Sequence, residues 1–209
     1  MRPRTFTYAP LTANLTGFLS NATGATWTLT NTATTDTLGH AVTIRNDTAN
    51  DHSGKTAVLT GTDASGNAQT ETIALPGVSA TVTSTLYFKT LTSVVPSATI
   101  GADTMDIGWA APAVGPTYPV SYVDVTGGGI SVAASITGTI NWGVQHTLED
   151  IFASSTAGQT VNWLNHSSLA SKTASADGNY AFPIRALRFI MTSVTDGATV
   201  SFSIIEGNR

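Results

Sequence analysis

KTAVLTGTDASGNAQTETIAL, residues 55–75, decides how this chain folds. Apolar residues alternate with threonines on both sides of a cluster of turn formers, residues 63–67. A period of two sends one set of side chains to a buried face and leaves the threonines outside, as in a half-buried antiparallel sheet. Gly66 and Asn67 tolerate positive φ, so the cluster reads as a hairpin turn.

Working outward, the same alternation recurs at 26–30, 41–45, 85–92 and 104–109, then at 120–125, 130–140, 143–147, 160–164, 183–192 and 198–205. Residues 165–179 read as a polar loop, and 148–152 are the one stretch that suits a helical turn. Short strands at this spacing, with no long 3.6-residue period, predict an all-β fold: two antiparallel β-sandwich or barrel-like modules with an N-terminal arm. Three prolines and a glycine in residues 110–119 cannot sustain a central strand and mark the boundary near Gly115. The expected division is an arm over 1–23, a first module over 24–115 and a second over 116–209.

Two segments a hundred positions apart support modules of similar build. TSVVPSATI at 92–100 and TSVTDGATV at 192–200 share Thr, Ser, Val, Ala and Thr without a gap, and each follows a strand-like run. A repeat of this kind places function in an architecture rather than in a catalytic pocket.

Only 11% of the 209 residues are charged while 41% are hydrophobic, and the formal net charge is -4. A weakly acidic chain offers no electrostatic footprint for nucleic acid or an anionic membrane surface, so neither is expected as a partner. Cysteine is absent, which excludes disulfides, thiolate metal sites and a cysteine nucleophile. The first ten residues carry charge without a following apolar run, and the chain reads as soluble with no export signal. The sequons at Asn14, Asn21, Asn46 and Asn165 then read as coincidences of a Thr- and Ser-rich sequence.

The reactive motifs are incomplete. Gly54-Lys55-Thr56 resembles the end of a phosphate-binding loop, but position 49 is Ala and a strand follows where a helix is required. Asp63, Ser65, Asn67, Gln69 and Glu71 imitate the start of a calcium loop, yet Ala74 stands where a bidentate Glu belongs. His40, His52, His146 and His166 lack metal-ligand spacing. His146, Glu149 and Asp150 around Thr147 form the densest polar cluster and read as a solvated turn. Trp27, Trp109, Trp142 and Trp163 could stack on sugars, but each lies in or beside an alternating run, where core packing is the expectation. No cofactor and no metal are expected.

GTINWGVQHT at 138–147, PIRALRFIMTS at 183–193 and GATVSFSIIEG at 197–207 resemble a recurrent β module in virion proteins of tailed bacteriophages. Residues 61–75 and 81–100 are similar to another common phage pattern. The resemblance implies a non-enzymatic virion structural protein, made in the host bacterial cytoplasm. A capsid decoration or cement protein that stabilises the shell is the leading expectation; a neck, collar, tail or short-fibre component is the alternative. A carbohydrate-binding adhesion module is the reading from another class. The implied partners are the major capsid protein or other virion proteins, and further copies of the chain itself as a homotrimer. Expected contact residues are Arg2, Arg4, Phe6 and Tyr8 in the arm and His166 in an exposed loop.

Overall fold

A computed structural model of the chain describes residues 3–120, 129–152 and 161–206. Among them the strands are β1 Arg4–Tyr8, β2 Asn14–Ala22, β3 Gly39–Asn46, β4 Thr56–Thr62, β5 Ala68–Ala74, β6 Thr81–Phe88, β7 Thr90–Pro96 and β8 Met105–Val114. They continue with β9 Tyr118–Pro119, β10 Ile130–Thr137, β11 Ile140–Thr147, β12 Leu164–Asn165, β13 Ala176–Tyr180, β14 Ala186–Val194 and β15 Thr199–Glu206. The protein is all-β and its sheets pair antiparallel. No helix among the described residues is long and apolar enough to cross a membrane.

Two compact units divide the chain: a first over Leu11–Ala113, and a second made of Met1–Pro10 with Val114–Arg209. In the first, strands β2, β8, β3 and β6 lie side by side, and β5, β4 and β7 form a second sheet. Leu59 and Ala57 of one sheet share a core with Val42, Ile44, Met105 and Ile107 of the other, joined by Phe18, Phe88 and Leu91. The hairpin that opened the sequence reading is β4–β5, in register from Thr56↔Ala74 to Thr62↔Ala68. Asp63 closes its turn by accepting from the amides of Ser65 and Asn67, with Gly66 at φ 90°.

The second unit has sheets β1–β15–β10–β13 and β12–β11–β14–β9. Phe189 of β14 stacks on Phe202 of β15 with ring centroids 3.8 Å apart, and Trp142 of β11 meets Phe202 edge-on at 5.7 Å. These three rings hold the two sheets together. Residues 130–140, which read as one run, are two strands in different sheets. The break is Gly138 at φ 80°, where an added Cβ would stand 2.9 Å from that of Ala198. A left-handed corner next to a close neighbour leaves room for glycine alone.

Four expectations need correction. The segment expected as an arm contains two paired strands: β1 pairs with β15 from Arg4↔Ile204 to Tyr8↔Val200 as an edge strand, and β2 pairs with β8. The register of β2 shifts twice between Asn14 and Ala22, and such irregularities erase the period-two signal. Residues 26–30 form no strand and contribute only the isolated bridge Trp27↔Val94. The loop expected at 165–179 contains the start of β13, whose Asp177 and Asn179 hide a strand behind polar side chains. The expected helical turn at 148–152 is helical at Ile151 and Phe152 alone among the described residues. The expected strand at 120–125 falls mostly outside them.

The two similar segments occupy comparable places. Residues 92–100 lead from β7 in one sheet to β8 in the other, and residues 192–200 lead from β14 to β15, again changing sheets. Ile100 and Val200 are both buried at the end of the passage.

Candidate functional site

The face that the sequence reading singles out is built on β1. Alternation places Thr5 and Thr7 outward, where they share hydrogen bonds with Ser203 and Ser201 across the ladder. Phe6 and Tyr8 turn inward and are half-buried. Phe6 meets Tyr118 edge-on at 6.2 Å, the Arg4 guanidinium lies 5.2 Å above the same ring, and Tyr8 packs 6.4 Å from Phe202. Burial raises the Tyr8 hydroxyl pKa above its ordinary value, and burial with the neighbouring Glu206 carboxylate does the same for Tyr118. The structure therefore brings Arg4, Phe6 and Tyr8 together on the chain's own sheet. Arg2 lies outside the described residues.

His166 belongs elsewhere and is not exposed, as its sequence neighbours had suggested; only 5% of its surface is accessible. Its Nε2 faces the carbonyl of Asn179 at 3.1 Å, and its Nδ1 accepts from the amides of Ser168 and Leu169. In that pattern Nδ1 is the acceptor and Nε2 faces a carbonyl. The loop around His166 is tied by this histidine, which is why a polar sequence is compact here.

His146 is likewise turned inward. Its Nδ1 lies 3.3 Å from the Tyr180 hydroxyl, and Tyr180 stands edge-on to both His146 and His166. Burial, followed by the nearby His166, lowers the pKa of His146, while burial pushes the Tyr180 hydroxyl far up. The acids expected beside His146 are committed to other partners. Glu149 accepts from the amide of Asn162, Asp150 pairs with Arg185 at 3.3 Å, and Thr147 accepts from the amide of Glu149. Among the described residues the hydrogen bond of His146 goes to Tyr180 and not to Glu149.

Three polar constellations in the first unit were not foreseen. His40 has no exposed surface; its Nδ1 faces the carbonyl of Ala110 at 3.0 Å and its Nε2 faces Asp36 at 2.7 Å. Burial pushes the Asp36 carboxyl up, and His40 together with the amides of Leu11 and Leu38 more than reverses this, so it sits below the usual range. Arg45 bridges Asp106 at 2.6 Å and Asp47 at 3.0 Å. Asp106 is held low against its burial chiefly by Arg45, whereas desolvation and the adjoining Asp106 raise Asp47.

The third constellation looks most like chemistry. His52 Nε2 lies 2.8 Å from Asp103, Lys55 Nζ lies 3.1 Å from His52 Nδ1, and Asn50 donates to both Asp103 oxygens. Asp103 is lowered by the Asn50 and His52 hydrogen bonds. Lys55 also donates to the carbonyl of Thr99 at 2.8 Å, so the set ties residues 50–55 to the loop before β8. A lysine donating to His52 occupies the nitrogen that a general base would need. Asp103 is 51 residues from His52, and nothing in the local spacing of Asn50, His52 and Lys55 announces it.

Trp27, Trp109 and Trp142 are core residues, exposed by 6%, 9% and 0%. Trp163 is half-buried, with the Arg188 guanidinium 4.3 Å above its ring. A stacking platform for a sugar needs an open ring face, and one face of Trp163 is taken. Among the described residues no group of three His, Asp or Glu side chains could hold a metal ion.

The remaining exposed feature is apolar. Leu148, Leu164 and Phe182 of the second unit are 63%, 47% and 52% exposed. They share one end of it: Leu148 follows the last residue of β11, Leu164 pairs opposite His146, and Phe182 packs on the rings of His146 and Tyr180. No family model, curated protein or solved structure matches the chain.

Proposed function

We propose that the protein is a non-enzymatic structural component of a tailed-phage virion that decorates and stabilises the capsid shell and associates with its own copies. The observation that carries this reading is where the polar side chains go. His40, His52 and His166, and the carboxylates of Asp36, Asp103 and Asp106, hold strands and loops of their own unit in place. Groups committed in this way brace a scaffold; they are not poised for turnover. The resemblance of residues 61–75, 81–100 and most of 118–207 to phage virion modules supplies the class of assembly.

Attachment is assigned to the apolar end of the second unit. Leu148, Leu164 and Phe182 would leave water on docking, at about 25 cal/mol for each Å² covered. Repetition over a shell would multiply a modest contact into firm attachment. The mechanism is mechanical: a decoration subunit laid across a joint makes rupture of the joint cost the decoration interface as well.

Quantitative mass spectrometry of purified particles from cells that encode the chain tests this reading. Copies in fixed ratio to the major capsid subunit are expected. A few copies per particle would transfer the protein to the neck, tail or a short fibre, and absence from particles would overturn the reading.

A further inference from the structure

β1 reaches its sheet from across the whole first unit: residues Leu11–Ala113 separate it in sequence from every other strand of the second unit. Among the described residues it pairs on one side only, with β15, whose other neighbour is β10. It is five residues long and stands between Pro3 and Pro10. Proline lacks the amide that would extend the ladder, so the strand has a fixed length and a defined hinge.

What ties β1 down is generic to the sequence rather than to one molecule. The ladder from Arg4↔Ile204 to Tyr8↔Val200, the Thr5–Ser203 and Thr7–Ser201 hydroxyl pairs, and the rings of Tyr118 and Phe202 would receive an identical strand from a neighbour equally well. Without any occupant, β15 would be an open edge flanking Phe202, which lies within the aromatic stack. Leu11, the first residue of the other unit, is held separately, its amide donating to Asp36 at 3.0 Å.

We propose that β1 is an exchangeable strand, and that the β15 edge is filled by the N-terminal segment of a second copy of this chain. Exchange replaces one set of contacts by the same set, so it costs little beyond the loss of freedom on association. At the high local concentration of a repeating assembly the intermolecular pairing is favoured. Reciprocal exchange closes a dimer or ring and one-way exchange builds an open chain. The inference rests on the self-association in the proposed function, and its test is independent of any virion.

The chain has no cysteine, which makes crosslinking unambiguous. Thr7 and Ser201 are directly opposite on β1 and β15. Thr7→Cys and Ser201→Cys chains carrying different tags would be co-expressed, oxidised and run on a non-reducing gel. A reducible heterodimer carrying both tags, as the main crosslinked product, is expected. The double variant, Thr7→Cys with Ser201→Cys in one chain, gives the control. If it closes only within single chains at every concentration and the mixture gives no heterodimer, strand exchange is overturned. If it fails to close at all, the β1–β15 pairing itself is contradicted. Should the cysteine variants not fold, light scattering of the chain lacking residues 1–10 replaces them: loss of the oligomer is expected, and an unchanged oligomer excludes exchange. Oligomers that persist without mixed crosslinks would retire the exchange and leave the proposed function standing.

Discussion

The two units solve one problem, filling the space between two sheets, with different chemistry. The second unit is filled by rings: Phe189 on Phe202, Trp142 against Phe202, and Tyr180 between His146 and His166. The first unit adds carboxylate braces to its apolar core, with Asp36 on His40, Arg45 between Asp106 and Asp47, and Asp103 on His52. Ring packing is insensitive to salt and charge state, but it penalises a proton placed on a buried histidine. Carboxylate braces depend instead on ionised aspartates. The units are therefore expected to fail under different insults.

The largest effect separates them by mutation. Phe202→Ala removes the ring on which both Phe189 and Trp142 lie and is expected to destabilise the second unit by about 3–5 kcal/mol. Hydrogen exchange should rise across β10, β11, β14 and β15 and stay unchanged in the first unit. Asp36→Ala strikes the other side. It leaves His40 buried without its acceptor and strips the amides of Leu11 and Leu38 of theirs, at an expected cost of about 3 kcal/mol confined to the first unit. Equal losses in both units from either variant would erase the contrast.

Acid sharpens the comparison. His146 has a folded pKa below its unfolded value, because burial opposes the charged ring. Its contribution is complete above about pH 6.5 and is lost as pH falls through the lower folded value. Asp36, Asp103 and Asp106 are also depressed, but from the carboxylate range. Their contribution is complete above about pH 4 and is lost only as pH falls further. Asp47, which is raised, works against them and softens that loss. On acidification below about pH 6.5 the second unit should loosen first, with hydrogen exchange rising around His146 and Tyr180 before it rises around Asp36. The reverse order would contradict the assignment of the braces.

The smallest expected effects concern the discarded sites. Trp163→Ala loses the contact with Arg188, worth about 0.5–1 kcal/mol, and leaves glycan-array binding at background before and after. EDTA should leave the melting temperature unchanged, since the carboxylate of Asp63 is engaged by Ser65 and Asn67. A shift of several degrees restored by calcium would reopen the turn as a metal site.

Legibility followed locality. The β4–β5 hairpin could be read because its alternation, its turn and its pairing all lie within twenty or so neighbouring residues. Trp109 and Trp142 could be read as core because the alternating runs that hold them do form strands, whereas Trp27 is core although its run makes only a bridge. β1 and β2 could not, since the partner of β1 lies at the opposite terminus and bulges break the period of β2. The corner at Gly138 was hidden because a glycine between apolar runs looks like a continuing strand unless the neighbouring Ala198 is known. His166 looked solvated among serines and asparagines, and only the fold reveals that backbone amides and a carbonyl enclose it. The Asp103 brace on His52 has no local signature either. Sites assembled across long sequence separations leave no period to detect.

The most direct test of a stabilising role on the virion is add-back to particles that lack the protein. Purified chain added to such particles should bind in fixed ratio to the major capsid subunit and raise the temperature at which the shell releases its DNA. A variant with Leu148, Leu164 and Phe182 changed to Ser should keep its β-sheet content yet neither bind nor protect. Particles that rupture at the same temperature with and without bound protein would contradict the stabilising role, and undiminished binding by the triple variant would remove the apolar end as the point of attachment.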